Sequence, residues 1–203
     1  CLRLDGLPLA IELAAAYSKL LTPQAMLTQL DAYWLEMKRP LRNLPTRQQT
    51  LRNTIEWSYR FLTGEERQLF AQLAVFRGGC TLEAIDAICE RHPSALLIEQ
   101  LNGLVNKSLV WRREGRNGES RFGMLETIRE YAQLCLDGRG ELEAVQERHA
   151  RYYTKLAAYL ESLSIKQRVV MNQFESENDN FRVALRWSLS HDPEPGLSLI
   201  GDL

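Results

Sequence analysis

Apolar positions recur at helical spacing along most of this chain, and the places where that spacing fails mark its internal boundaries. Leu9, Leu13, Ala16, Tyr17 and Leu20 line one face of a helix running from Pro8 to Leu20. Gly6 gives the preceding turn its backbone freedom, and Pro8 suits the first helical position, where the N–H it lacks would be orphaned in any case. The string Gly6-Leu7-Pro8-Leu9-Ala10 therefore predicts a rigid loop passing at once into a helix. Thr22-Pro23 opens a second helix with Met26, Leu27 and Leu30 on its apolar face. After a break at Leu44-Pro45, Thr46 and Gln49 have capping-box spacing ahead of a stripe of Leu51, Ile55, Tyr59 and Leu62. Thr63 and Glu66 repeat that logic for a helix burying Leu69, Phe70 and Leu73, which Gly78-Gly79 stops. Thr81 caps a short helix carrying Leu82, Ile85 and Ile88, and Ser94 caps another carrying Leu97, Leu101, Leu104 and Val105.

From Ser108 the period changes to two. Leu109 to Arg113 and Ser120 to Met124 read as strands flanking Gly115-Arg116-Asn117-Gly118, a hairpin connection by composition. A helix from Leu125 to about Leu136 follows, with Leu125 in phase with Ile128, Ala132 and Cys135 and so assigned to the core. Helices, a hairpin and a further helix, in that order, are what a winged helix requires. Beyond Asp137-Gly138-Arg139-Gly140 the pattern is all helical: Glu141 to Leu163, a second segment from Gln167 to Phe174 and a third from Asn178 to Leu189. Within the first of these, His149 beside Arg148 and Arg151 reads as a surface residue.

Composition narrows the picture. In 203 residues, 45% of them hydrophobic, there is material for more than one small core, and a net charge of −1 gives no global electrostatic case for nucleic acid or an acidic membrane. No run approaches the roughly 20 apolar residues of a membrane span, and nothing reads as a signal peptide, so a soluble, cytoplasmic protein is expected. The four cysteines lack a paired C-x-x-C arrangement. Cys89 and His92, with Cys80 nearby, have metal-like spacing but no evident fourth ligand, and Cys89 is read as a reduced core thiol. The chain opens at Cys1 inside a motif, which reads as an internal piece of a longer protein.

Three segments carry a family resemblance. Gly6-Leu7-Pro8-Leu9-Ala10 resembles the GLPLA motif of NB-ARC and related STAND nucleotide-switch proteins. Met124-Leu125-Glu126, continuing through Arg129 to Ala132, resembles the Met-His-Asp string at the end of their winged helix, with Leu125 where the histidine belongs. Glu177 to Trp187 looks like the opening of the helical-repeat region in bacterial STAND regulators. The fold implied is mainly α. It comprises a helical lid remnant over residues 1–45, a winged helix with a small β-hairpin over 46–138, and the start of a tetratricopeptide-like repeat region over 139–203.

The resemblance implies a regulatory segment of an ATP/ADP switch, in a transcriptional regulator that couples nucleotide state to a repeat sensor. Pro8, shaped by Gly6 and Leu7, would pack against the adenine. Leu125 has no donor for the β-phosphate, and Arg121 or Arg129 could supply a substitute cation. Arg129 also lies three residues after Glu126 and could pair with it instead. The resemblance places ATP or ADP with Mg in the parent protein, a slow P-loop ATPase. No cofactor, metal or catalytic residue is expected in this segment, which lacks the G-x-x-x-x-G-K-[ST] loop. Expected partners are the nucleotide-binding domain of the same chain, a protein or small ligand at the repeats and a nucleotide-dependent oligomer, with no membrane. DNA contact is not expected, because the helix from Ser94 to Lys107 offers only Glu99 and Lys107 as charges. Two alternatives stand beside this reading: a DNA-binding module using Arg112, Arg113, Arg116 and Arg121 of the hairpin, and a protein-interaction scaffold without nucleotide control.

Overall fold

The structure, a computed structural model, describes residues 4–36, 46–89, 94–163 and 168–191 and is mainly helical. Helix α1 (Pro8–Ala15) begins as the sequence predicts, with Pro8 at its first position and Leu7 extended before it. It buries Ala10, Leu13 and Ala14 and then tightens into a 3-10 segment, Ala16–Lys19, in which Tyr17 is buried. Leu20, expected inside, is instead 77% exposed, because it lies past that tightened turn. Helices α2 (Pro23–Glu36) and α3 (Thr46–Arg60) follow. Tyr17, Trp57 and Phe61 pack ring against ring, and the Tyr17 hydroxyl donates to the Ser58 carbonyl at 3.0 Å, fastening α1 to α3. Leu4, Ala10, Ala14, Tyr17, Leu30 and Trp57 form a small core there.

The larger core spans the rest. Helix α4 (Gly64–Gln72) starts with the expected capping box: Thr63 accepts from the Glu66 N–H, and the Glu66 carboxylate accepts from the Thr63 N–H. A 3-10 turn (Leu73–Val75) leads to strand β1 (Cys80–Thr81), then α5 (Leu82–Ile88), capped by Thr81, and α6 (Ser94–Asn106). Strands β2 (Trp111–Glu114) and β3 (Ser120–Gly123) form the expected hairpin. The sequence pattern missed β1, which is too short to show alternation; it pairs antiparallel with β3, giving the order β1-β3-β2. The capping side chains of Thr46 and Ser94, the Leu44-Pro45 break and His92 lie outside the described residues.

Helix α7 (Glu126–Gly138) starts one residue later than predicted, and this changes the fate of Leu125. As the extended residue ahead of the helix it escapes the helical phase, and it is 44% exposed rather than in the core. The tail holds two long helices where three were expected: α8 (Leu142–Ser162) and an uninterrupted α9 (Arg168–His191). The polar run Glu175-Ser176-Glu177-Asn178 looks like a break but contains no Gly or Pro, and Glu177 and Asn180 spend their polar atoms inside the fold. Val145, Tyr153, Phe181 and Ala184 join the same core as Phe70, Ile85, Leu104 and Ile128, so one apolar interior runs from the sheet into the α8–α9 pair.

Candidate functional site

The wing is the natural place to look for chemistry, and its arginines have four different fates. On strand β3 Arg121 and Phe122 are both buried, between the partly exposed Ser120 and Gly123. Its guanidinium, 9% exposed at the side chain, donates to Glu177 at 2.5 Å and to the carbonyls of Gly79 at 3.2 Å and Ser176 at 3.1 Å. Burial works against its charge, but the bond and charge of Glu177 outweigh burial and raise it above the ordinary arginine value. Arg116, at the hairpin tip, pairs with Glu175 on α9, and Asn117 beside it accepts from Asn172 at 3.2 Å. Arg112 bonds Ser120, and Arg113 lies over the Trp111 ring at 4.7 Å. Root and tip of the wing are thus both tied to α9.

Around Glu177 the polar atoms close into a network. Its second oxygen accepts from the Tyr153 hydroxyl at 3.1 Å and from the Asn180 amide at 2.8 Å. The same amide donates to Gly79 O, while the Asn180 carbonyl accepts from the Arg77 N–H and lies 3.4 Å from His149 Nε2. Burial, then the charge of Glu177, pushes Tyr153 well above the ordinary phenol value, so it stays a donor. His149 is not on the surface. It is 1% exposed, because Val145, His149, Tyr153 and Ala157 recur every fourth residue along the buried face of α8.

Burial holds His149 at a pKa of about 4, against 6.5 for the free side chain, with its bond to Asn180 opposing the shift. A depressed native value means that the unfolded chain takes up the proton first as pH falls. The contribution is therefore complete above pH 6.5, drains away between 6.5 and about 4, and is level below. Chemical denaturation across that window should show a stability slope in the native sequence that His149→Gln flattens. An identical slope in both proteins would exclude His149 as its origin.

A second cluster sits at the start of α7. Glu126 accepts from Arg77 at 2.6 Å and twice from Arg129, at 2.8 and 3.0 Å. Arg129, and then Arg77 against partial burial, hold its carboxyl down at about 2. Arg129 also donates to Ala74 O at 3.1 Å and to Gln133 at 2.9 Å. Arg121 and Arg129, both candidates for a phosphate contact, thus direct their guanidinium groups at the chain itself. The remaining candidates lie apart at the start of α1, with Gly6 and Pro8 exposed and Leu7 packed against the small core. Asp5 and Gly6 have φ of 50° and 64°, Leu7 N–H donates to Leu4 O at 2.9 Å, and the Asp5 carboxylate accepts from Thr50 on α3 at 2.6 Å. The loop is tied to α3 through Asp5 and Thr50, and Pro8 is exposed.

Helix α6 occupies the position from which a winged helix would read a major groove. Leu96 and Ile98 are about half exposed on it, with Glu99, Asn102 and Asn106 also outward. Lys107, the basic residue at its end, is held by Glu66 at 2.5 Å. Cys89 and Cys80 are buried thiols, Cys89 pushed up to about 12 by burial. Among the described residues no group of three His, Cys, Asp or Glu could hold a metal, and no helix is long and apolar enough to cross a membrane.

Sequence comparison places this geometry. Residues 62–137 match the family model described as a winged helix-turn-helix domain. Over 193 residues the chain is 42% identical to a Mycobacterium tuberculosis protein provisionally named HTH-type transcriptional regulator Rv0890c, and equally to Mycobacterium bovis Mb0914c, which carries the same provisional name. That alignment covers 93% of this chain but 21% of either relative, so the chain spans about a fifth of their length. It is also 36% identical over 155 residues to the uncharacterized protein Rv0894 of Mycobacterium tuberculosis, covering 75% of this chain and 39% of that one. No solved structure matches. The chain therefore contains a winged helix-turn-helix domain and is homologous to proteins provisionally named as HTH-type transcriptional regulators.

Proposed function

We propose that this chain is the coupling segment of a transcriptional regulator, in which the winged helix transmits conformation between its neighbours and does not read DNA. The observation that carries this reading is the double attachment of the wing to α9, through Arg121–Glu177 at its root and Arg116–Glu175 at its tip. A wing that grips DNA presents its cations to phosphates, and here two of the four are already neutralised. The outward face of α6 carries Leu96, Ile98, Glu99, Asn102 and Asn106 and, among the described residues, no free cation, which suits protein packing and disfavours a polyanion. Charge reversal tests this directly. Arg112→Glu with Arg113→Glu should leave both the DNA affinity of the full-length protein and its salt dependence unchanged. Two lost phosphate contacts would instead lower the salt slope by about 1.8, and that outcome would assign the wing to DNA.

The second reading, an ATP/ADP switch of the STAND type, is favoured by the loop before α1. A fixed, exposed proline ring on a backbone braced by Asp5–Thr50 offers a preorganised apolar surface to a base, with no competing donor. Gly6, Leu7 and Pro8 would then hold the adenine edge of a nucleotide whose phosphates and Mg are bound by another domain. Arg121 and Arg129 would act by positioning the wing and α7. Leu125, exposed and without a donor, leaves the β-phosphate to other residues.

A further inference from the structure

Where the winged helix meets the α8–α9 pair, the two do not close completely. A crevice of about 280 Å³ remains, near the small end of ligand pockets. Val75 and Leu142 form part of its apolar wall on one side and Val183 on the other. Its charged wall is one-sided: Arg77, Arg129 and Arg186 line it, and no carboxylate does among the described residues. Glu126 lies outside the lining and is shared between Arg77 and Arg129, so one negative charge answers two guanidiniums. The Arg186 side chain has no ion pair or hydrogen bond among the described residues, and the crevice keeps an excess of positive charge.

A further observation points to a ligand. Trp187 lines the crevice, and its indole nitrogen is buried with no acceptor among the described residues. An N–H withdrawn from water without a partner is costly, and the cost disappears when an incoming oxygen accepts from it. The indole is also held in place: His191 stacks on it at 4.5 Å and 6° between planes, and the His191 ring nitrogen contacts the Trp187 carbonyl at 3.0 Å. Excess cationic charge, an orphaned donor and apolar walls together describe a receptor for a small anion with an apolar body.

We infer that this crevice is an effector site for a small organic carboxylate. Its apolar body would lie against Val75, Leu142 and Val183, its charge facing Arg186 and one oxygen accepting from Trp187. The site is built half from the winged helix and half from α8 and α9, so its occupant bridges the two and favours the arrangement in which they are closed. This inference is independent of the nucleotide reading, since none of Gly6, Leu7 or Pro8 takes part.

Three probes separate the features of the proposed site. Benzoate carries both charge and apolar body, benzyl alcohol the body alone, and inorganic phosphate the charge alone. Calorimetric titration of the full-length protein should give saturable, one-to-one benzoate binding, with benzyl alcohol and phosphate each weaker by about tenfold or more, as expected when a charge-assisted hydrogen bond or the buried apolar area is lost. Arg186→Met should weaken benzoate by about the same factor. Arg182→Met, an exposed residue of α9 outside the crevice, should not. Trp187→Phe keeps the ring and removes the donor, and should weaken benzoate severalfold. No saturable benzoate binding, benzoate bound no better than either other probe, or affinity indifferent to Arg186→Met would each overturn the assignment.

Discussion

Glu177→Ala should lower the unfolding free energy by about 3–5 kcal/mol, the range for removing one partner of a buried ion pair. The carboxylate is 3% exposed and answers three donors at once: Arg121, the Tyr153 hydroxyl and the Asn180 amide. Without it, the Arg121 guanidinium stays buried with two carbonyls and no counter-charge, and the Tyr153 hydroxyl loses its acceptor. The penalty is therefore the desolvation of what is left behind more than the loss of an attraction. Denaturant titration of Glu177→Ala, Arg121→Met and the double variant measures this. The double variant should cost clearly less than the sum of the singles, because removing both charges leaves neither uncompensated. Additive singles would mean that the two residues do not act as a pair. Glu177→Gln gives a functional counterpart: it keeps the shape and one acceptor but loses the charge, so it should loosen the wing from α9 at a smaller cost in stability.

That network also marks where sequence reasoning reached and where it stopped. Element order was legible because each helix announces itself by capping residues and a 3.6-residue stripe; Thr63, Glu66 and Thr81 behave as their positions predict. Reading the hairpin required only the change of period and the Gly115–Gly118 connection. Burial of polar residues was not legible. Arg121 looked like one of four wing cations, His149 like a surface residue and Glu175 to Glu177 like a break between helices, since in each case the sequence displays the polar group and hides the partner that satisfies it. A signal existed for His149, which falls in phase with Val145 and Tyr153, but the neighbouring arginines masked it. For Leu125 the error was one residue of helix boundary, enough to move a side chain from core to solvent. Of the candidate site, the loop at Gly6 and Pro8 could be read because backbone requirements are written in Gly and Pro themselves. The crevice at Trp187 could not, since it is assembled from four separate stretches of chain.

Gly79→Ala should be the most damaging of the glycine substitutions in the wing, by about 3 kcal/mol, combining a positive-φ penalty of about 1–2 with the strain of overpacking. Gly79 has φ of 95°, and an added Cβ would lie 2.6 Å from the Trp111 ring and 2.9 Å from the Phe122 carbonyl oxygen. Neither neighbour yields easily. Phe122 is the β3 partner of Cys80 in the sheet, and Trp111 is covered by Arg113. The displacement would be felt beyond the strand, because the Gly79 carbonyl accepts from both Arg121 and Asn180 and so belongs to the joint between wing and α9. Gly118→Ala is the matched control: its φ of 81° carries the same kind of backbone penalty, but the nearest atom to a new Cβ, Glu114 Oε1, is 3.9 Å away. Thermal unfolding should therefore place Gly79→Ala some 6–12 °C below the native protein, from about 2–4 °C per kcal/mol at this size, with Gly118→Ala falling roughly one to two thirds as far. Equal shifts would show that backbone conformation alone sets the cost, and that the close approach of β1 to β3 and Trp111 does not constrain the joint.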